Sequence, residues 1–140
     1  MEKELCEYLG VDYISLFNNG AIALVTALQA LGLEQGEVIT TPYTFVATAH
    51  SIVWNKLTPV FVDIDPQTYN MSATALRQKL EAAKKQGRLP KVLVPVHFSG
   101  QPCEMREIAA LAKEYGFAVI EDASHAIGAT YEASRIGDCR

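Results

Sequence analysis

The sequence has few cysteines, and their spacing excludes two classes of small protein. Its 140 residues include only Cys6, Cys103 and Cys139, which lie far apart and form no Cys-x-x-Cys pair. This spacing argues against a disulfide framework or a structural zinc site, and it predicts a reducing, cytoplasmic environment. Cys139 would be reactive if it were exposed, although an inert thiol is the simpler expectation.

Long apolar runs, basic clusters and nucleotide-binding motifs are also absent. No run approaches the ~20 apolar residues of a membrane span, and the start, Met1-Glu2-Lys3-Glu4, does not resemble a secretory signal. No membrane partner is therefore expected, and a net charge of −4 without a basic cluster argues against nucleic acid as the main partner. The lack of G-x-G-x-x-G and G-x-x-x-x-G-K-[ST] argues against a dinucleotide site or a P-loop. Without a linker or repeat, residues 1–140 are expected to form a single domain.

Short apolar runs alternate with helix-like segments along the chain, and none of the runs alternates strictly with polar residues. Such runs are typical of parallel strands that are covered on both faces. The predicted strands are Tyr13–Phe17, Val38–Thr41, Val60–Val62, Val92–Val96 and Ala118–Ile120. The predicted helices are Glu2–Leu9, Ala21–Leu31, Phe45–Trp54, Ser72–Gln86 and Glu104–Tyr115. This order predicts an α/β fold with a doubly wound, mainly parallel sheet.

Ligands of such sheets bind beyond the carboxyl ends of the strands, so the residues that follow each strand are the candidates for a site. Gly20 and Ala21 follow the first predicted strand and open a helix, whose free N–H groups suit a phosphate. An ordinary strand-to-helix turn explains these residues equally well. Phe45, after the second strand, could stack on a flat ring, or it could belong to the core.

Two acids and a histidine follow the last predicted strand, in the segment Glu121-Asp122-Ala123-Ser124-His125. A buried carboxylate is costly unless a positive group pairs with it. That group could be the protonated ring nitrogen of a cofactor. It could also be a metal held by His97, Asp122 and His125, although these ligands do not clearly converge. A cap on the following turn would explain one acid but not the whole cluster.

Two further aspartates follow the third predicted strand, in the segment VDIDP. Asp63 and Asp65 could form an acid/base pair. We favour a turn at Asp65-Pro66, with Asp63 capping the strand exit. His97 leads into a Gly/Pro turn, and no role is assigned to it from the sequence.

Five of these segments occur in an order that resembles a known family. They are LFNNGAIALVTALQALG, EVITTPYTFVATAHSI, PVFVDIDPQTYN, VPVHFSGQP and AVIEDASHAIGATY, the last followed by RIGD. From Glu4 to Asp138 the chain resembles the DegT/StrS family of sugar aminotransferases, which are fold-type I enzymes that use pyridoxal 5′-phosphate (PLP). The resemblance implies the N-terminal part of the PLP-dependent transferase large domain.

The resemblance also implies a role for each candidate residue. Gly20 and Ala21 would lie at the helix N-terminus that holds the PLP phosphate, and Phe45 would stack on the pyridine ring. Asp122 would pair with the pyridinium nitrogen, and His125 would form a hydrogen bond near the ring hydroxyl. Such enzymes typically transfer the amino group of glutamate to a keto sugar on a nucleoside diphosphate, and they usually act as homodimers with sites at the subunit interface.

The chain departs from the family pattern at two points. Ala21 stands where relatives commonly have Thr or Ser, so a hydroxyl donor to the phosphate is missing. The family's Schiff-base lysine lies in a later segment, whereas all seven lysines here (3, 56, 79, 84, 85, 91 and 113) precede Asp122. We therefore expect no catalytic residue in the chain and no activity from the chain alone. The alternative is a non-catalytic truncated module that binds phosphate ligands weakly or associates with intact relatives.

The resemblance also has a consequence for the first predicted strand. In the resembled fold, Tyr13–Phe17 pairs with a strand that lies beyond residue 140. We therefore expect this strand to repack, or to be covered by a swap or by dimerisation, unless the chain is only the observed part of a longer protein.

Overall fold

The structure is a computed structural model and describes residues 1–138, so that Cys139 lies outside the described residues. In chain order the elements are α1 Glu2–Leu9, α2 Gly20–Ala30, β1 Glu37–Thr40, α3 Val46–Trp54, β2 Thr58–Phe61, α4 Ala73–Lys85, β3 Val92–Leu93, a 3₁₀ turn at Phe98–Gly100, α5 Met105–Tyr115, β4 Ala118–Val119, β5 Thr130–Tyr131 and β6 Ser134–Arg135. Strands β1 to β4 form one parallel sheet in the order β2-β1-β3-β4. The predicted α/β fold is confirmed.

Helices cover both faces of the sheet. Successive strand residues point to opposite faces, so apolar strand residues supply a core on each side. Val38 and Val92 are buried on one face, in a cluster with Leu28 of α2 and Ile52 of α3. Their neighbours on the opposite face pack against α4 and α5, in a cluster that includes Ile39, Leu93, Leu76, Leu80, Ile108 and Leu111. Each fully buried aliphatic side chain stabilises the fold by roughly 1.5–3 kcal/mol.

Local signals determine where the helices begin and end. The side-chain oxygen of Asn19 accepts a hydrogen bond from the Ile22 N–H at 2.9 Å and caps α2. The Ser72 hydroxyl accepts from the Ala75 N–H at 3.2 Å and caps α4, as predicted. Helix α5 ends at Gly116, whose φ of 74° is a left-handed conformation that glycine adopts easily.

The predicted strand at Tyr13–Phe17 is wrong, because these residues form no strand in the structure. Tyr13 is 91% exposed, and Leu16 and Phe17 are each 43% exposed. A strand requires a neighbour with which to exchange backbone hydrogen bonds, and no strand within residues 1–138 lies beside this segment. The antiparallel hairpin formed by β5 and β6 was not predicted.

The pairing between β3 and β4 continues beyond their regular residues toward the carboxyl edge of the sheet. The Ile120 N–H donates to the Leu93 carbonyl at 2.9 Å, and the Asp122 N–H donates to the Pro95 carbonyl at 2.9 Å. Val96 and Asp122 then form an isolated parallel bridge. Because Pro95 has no N–H to donate, the regular hydrogen-bond ladder between β3 and β4 ends before it. Asp122 is nevertheless held at the end of the sheet by its backbone hydrogen bonds to Pro95 and His97. No helix among the described residues is long and apolar enough to cross a membrane.

Candidate functional site

A cavity of about 560 Å³ lies at the carboxyl end of the sheet. All five candidate residues from the sequence line it, namely Gly20, Ala21, Phe45, Asp122 and His125. Its volume is typical of small-molecule sites, which span about 300–1,000 Å³. The structure thus brings together residues that are up to about 100 positions apart in the chain.

The N-terminus of α2 forms one wall of the cavity. Asn19 caps the N–H of Ile22, whereas the N–H groups of Gly20 and Ala21 come too early in the helix to have intrahelical partners. A Cβ on Gly20 would lie 3.3 Å from the Ser124 hydroxyl oxygen, a tight contact that favours glycine at this position. Ala21 carries no hydroxyl, so the donors available to an anion here are backbone N–H groups, assisted by the helix dipole.

Phe45 lies at the start of α3 and is 74% exposed. The alternative that it belongs to the core is therefore wrong. Its backbone is extended, with φ −67° and ψ 142°, and the next residue begins the helix. An exposed aromatic ring in a cavity wall offers a flat apolar surface on which another ring can stack.

Asp122 is only 6% exposed, and hydroxyl groups hold its carboxylate. Thr48 donates to Oδ2 at 2.7 Å, while the Ser124 hydroxyl donates to Oδ1 at 2.6 Å. Within residues 1–138, no lysine, arginine or histidine forms an ion pair with it. The carboxylate is therefore buried at the cavity without a positive partner from the described chain.

His97 also lines the cavity, but its ring nitrogens are both engaged elsewhere. Nδ1 accepts from the Cys103 N–H at 3.1 Å, so this nitrogen carries no proton. Nε2 must therefore carry the ring proton, and it donates to Glu121 Oε2 at 2.7 Å. Glu121 and Asp122 point to opposite faces because they are consecutive residues in an extended segment.

These contacts weaken the metal alternative. His97 cannot act as a ligand while both nitrogens are engaged. In the part of the chain that the structure describes, no group of three or more His, Cys, Asp or Glu side chains could hold a metal ion.

His125 is exposed at the cavity, and a glycine shapes the backbone beside it. Gly100 has φ +84°, and a Cβ at this position would lie only 2.9 Å from the His125 carbonyl oxygen. A glycine is thus required for two reasons, the left-handed backbone and the close approach. The Ser-Gly-Gln-Pro segment after His97 indicates a turn that contains Gly100. The sequence does not indicate that this turn packs against His125.

Cys103 is hydrogen-bonded to His97, which lines the cavity, and is fully buried. Its thiol contacts the Val96 carbonyl oxygen at 3.1 Å. Burial raises the pKa of Cys103 from an ordinary 9.0 to about 12, because a thiolate is poorly solvated there. The residue is therefore a structural thiol rather than a nucleophile.

The two aspartates after β2 stabilise a turn, as favoured from the sequence. Asp65 accepts from the N–H groups of Gln67 at 2.8 Å and Thr68 at 3.1 Å, and Asp63 accepts from Ile64 at 2.8 Å. Neither lines the 560 Å³ cavity. They are bonded to their local backbone rather than to each other.

Together, the fold and the cavity place helix N–H groups, an exposed aromatic ring and a buried carboxylate around one space at the carboxyl end of the sheet. The chain belongs to the DegT/DnrJ/EryC1/StrS aminotransferase family, which it matches over residues 1–140. The expected family is confirmed. The α/β alternation that the apolar runs and helical segments predicted is also present in the structure.

Characterised relatives and solved structures resemble this chain over most of its length. It is 50% identical over 138 residues to the dTDP-4-amino-4,6-dideoxy-D-glucose transaminase of Escherichia coli. This match covers 97% of the chain and 35% of the transaminase. An aminotransferase from Psychrobacter cryohalolentis matches its structure with a TM-score of 0.89 and 39% identity, over 97% of this chain and 33% of the other. NtdA of Bacillus subtilis, solved with bound cofactor PMP, has a TM-score of 0.84 and 33% identity, over 92% of this chain and 28% of its own. The chain spans about a third of the length of the curated relatives that it matches.

Proposed function

We propose that this chain forms the cofactor-binding part of a PLP-dependent aminotransferase that converts a nucleotide-linked keto sugar into an amino sugar, with glutamate as the amino donor. The observation that carries the proposal is the environment of Asp122. Its carboxylate is buried at a cavity that an exposed aromatic ring and a helix N-terminus also line, and no cation of the described chain pairs with it. The names of the relatives support the nucleotide-sugar substrate.

The residues of the cavity fit PLP or its amino form PMP (pyridoxamine 5′-phosphate). The N–H groups of Gly20 and Ala21 suit the phosphate, and the exposed ring of Phe45 suits the face of a pyridine ring. A protonated ring nitrogen would supply the positive partner that the buried carboxylate of Asp122 lacks. Three separate chemical requirements of the cofactor thus match three groups in one cavity.

The residues of this chain would bind and orient the cofactor. When bound, PLP supplies an electron sink for the carbanion that forms during amino transfer. Asp122 would hold the proton on the ring nitrogen, Phe45 would cover one face of the ring against water, and His125 would form a hydrogen bond near the ring hydroxyl. These interactions determine the position of the ring and the electronic state of its nitrogen.

The group that binds PLP covalently and moves protons in this class of enzyme is a lysine. No lysine lines the cavity among the described residues, and all seven lysines precede Asp122 in the sequence. We propose that the 140-residue chain is inactive by itself and contributes binding and orientation. We further propose that the complete enzyme acts in the cytoplasm as a homo-oligomer.

The second candidate function is a non-catalytic module that binds phosphate-bearing ligands weakly. Ala21 favours this function, because its side chain has no hydroxyl. At this position the helix N-terminus can bind an anion only through backbone N–H groups. Such a module would recognise the phosphate but not the ring nitrogen. The two candidates therefore differ in whether binding depends on Asp122.

Titration of PMP into the 140-residue chain tests the proposal, because PMP binds without a lysine. The Asp122→Asn variant keeps the shape of the side chain and removes its charge. A hydrogen bond to a charged group contributes about 1.5–3 kcal/mol, so the affinity should fall roughly ten- to hundredfold. The fluorescence of PMP, or isothermal calorimetry, would measure this loss.

Two controls separate the ring from the phosphate. Asp12→Asn makes the same substitution at an exposed aspartate outside the cavity and should leave the affinity unchanged. Inhibition by inorganic phosphate should also be unchanged in Asp122→Asn, because phosphate has no ring nitrogen. Equal PMP binding by the wild-type and Asp122→Asn chains would favour the non-catalytic module, and no PMP binding by the wild-type chain would contradict the proposed site.

A further inference from the structure

The carboxylate of Asp122 is held from two different parts of the fold. Ser124 bonds to Oδ1 from the same loop, only two residues away. Thr48 bonds to Oδ2 from α3, which is 74 residues away in the chain. Ser124 belongs to the same loop as Asp122, whereas Thr48 links the side chain to a separate helix. Of these two hydroxyls, that of Thr48 is therefore the one that ties the carboxylate to α3, whose first turn carries Phe45.

A second threonine determines the direction of this hydrogen bond. The hydroxyl oxygens of Thr44 and Thr48 are 2.9 Å apart. A carboxylate only accepts, so the single hydroxyl proton of Thr48 is used by Asp122. Thr44 must then donate to Thr48. The result is a directed chain of hydroxyls, Thr44 to Thr48 to Asp122, and each donor in such a chain strengthens the next.

The Thr48 hydroxyl has little freedom to move. The residue is fully buried, and its N–H donates to the Phe45 carbonyl at 3.2 Å. Its own carbonyl accepts from the Ser51 hydroxyl at 2.7 Å. Because Phe45 and Thr48 belong to the same first turn of α3, the aromatic ring and the hydroxyl that holds the carboxylate are parts of one rigid unit.

We propose that Thr48 is a positioning residue that orients the Asp122 carboxylate toward the ring nitrogen of a pyridine phosphate, with Thr44 as the donor behind it. This inference rests on the proposed function and deepens it. Thr48 lines the cavity with a fully buried side chain, and in this scheme its hydroxyl acts through Asp122 rather than on the ligand. Its loss should therefore weaken the contact to the ring nitrogen and leave the other contacts of the ligand intact.

The test compares two ligands in the 140-residue chain, PMP and its 1-deaza analogue, in which a C–H replaces the ring nitrogen. Thr48→Val removes the hydroxyl and retains the volume of the side chain. Loss of the hydrogen bond between Thr48 and Asp122 should lower the PMP affinity of this variant about three- to tenfold. The affinity for the 1-deaza analogue should stay within about twofold, and Thr48→Ser should retain most of the PMP affinity.

Two further variants keep the test decisive. Thr26→Val makes the same substitution on the exposed side of α2, outside the cavity, and should change neither affinity. If Thr48→Val does not fold, Thr44→Val removes the donor one step behind; Thr44 is partly buried and also lines the cavity, so the 1-deaza analogue measures any direct effect on the ligand. It should produce a smaller loss that is again confined to PMP.

Four outcomes would overturn the inference. An equal loss of both ligands in the threonine variants would mean that α3 supports the cavity only in a general structural way. Unchanged PMP affinity in Thr48→Val, or a Thr48→Ser variant as weak as Thr48→Val, would exclude a role of the hydroxyl. No PMP binding by the wild-type chain would instead contradict the proposed function, and the inference with it.

Discussion

The buried contact between His97 and Glu121 yields the most direct prediction for stability. His97 is 1% exposed, and its Nε2 donates to Glu121 Oε2 at 2.7 Å. The Glu121→Ala substitution would remove this acceptor and leave the ring N–H without its partner. A buried donor that loses its partner costs the fold the desolvation of that group.

The structure limits the size of this effect. An unsatisfied buried donor costs about 1–3 kcal/mol. The Glu121 side chain is 20% exposed and lines a second cavity, of about 760 Å³, so water can partly replace it. We therefore expect the free energy of unfolding to fall by about 1–2 kcal/mol, which for a chain of this size lowers the melting temperature by roughly 4–8 °C.

Urea unfolding followed by far-UV circular dichroism would measure this change. Glu121→Gln is the closest comparison, because its amide oxygen can still accept from Nε2, and it should lose less than half as much. Glu132→Ala is the matched control, since Glu132 pairs with Arg106 on the surface and such pairs contribute about 0–1 kcal/mol.

Two results would refute this reasoning. If Glu121→Ala is no more destabilising than Glu132→Ala, then the contact to His97 does not stabilise the fold. If Glu121→Gln loses as much as Glu121→Ala, then the effect comes from the charge of Glu121 and not from its role as an acceptor.

Two other predictions concern single residues near the site. Gly100→Ala should lower the free energy of unfolding by at least about 1 kcal/mol more than Gly87→Ala. Both glycines have positive φ, but only a Cβ at position 100 would meet backbone, at 2.9 Å from the His125 carbonyl oxygen. Equal losses in urea unfolding would contradict this. The pKa of Cys103 is raised from 9.0 to about 12, so the unfolded thiol ionises first as the pH rises. Its contribution to stability is complete below pH 9 and is lost between pH 9 and 12, at up to about 1.4 kcal/mol per pH unit. In Cys103→Ala this part of the slope should disappear, and an unchanged slope between pH 9 and 10.5 would count against it.

The resemblance of short segments to one family is enough to bring together five residues that all line the cavity, although it does not name the rest of the lining. Gly20, Phe45 and Asp122 are each ambiguous when taken singly, since a turn, a core residue or a cap explains them as well. Their common order along the chain removes part of the ambiguity. The structure adds that Phe45 is exposed and that Asp122 is buried without a cation from the described chain, two properties that depend on what surrounds a residue.

The contacts that support the site were not predicted. Thr48 lies within an apolar helical segment and has the pattern of an ordinary helix residue. Its bond to Asp122 joins positions 74 residues apart, and the bond between His97 and Glu121 joins positions 24 apart. Hydrophobic periodicity describes neighbours along the chain. It contains no information about pairs of residues that come together only in the folded structure.

The sequence by itself determined the order of helices and parallel strands, because apolar runs, caps and glycines act over a few residues. It also determined that Ser72 caps a helix and that Asp65 stabilises a turn. Only the tertiary structure decided that Tyr13–Phe17 is not a strand and that hydroxyls hold Asp122. The physical reason is the same in both cases. A strand needs a neighbouring strand, a buried carboxylate needs donors, and both kinds of partner come from distant parts of the chain.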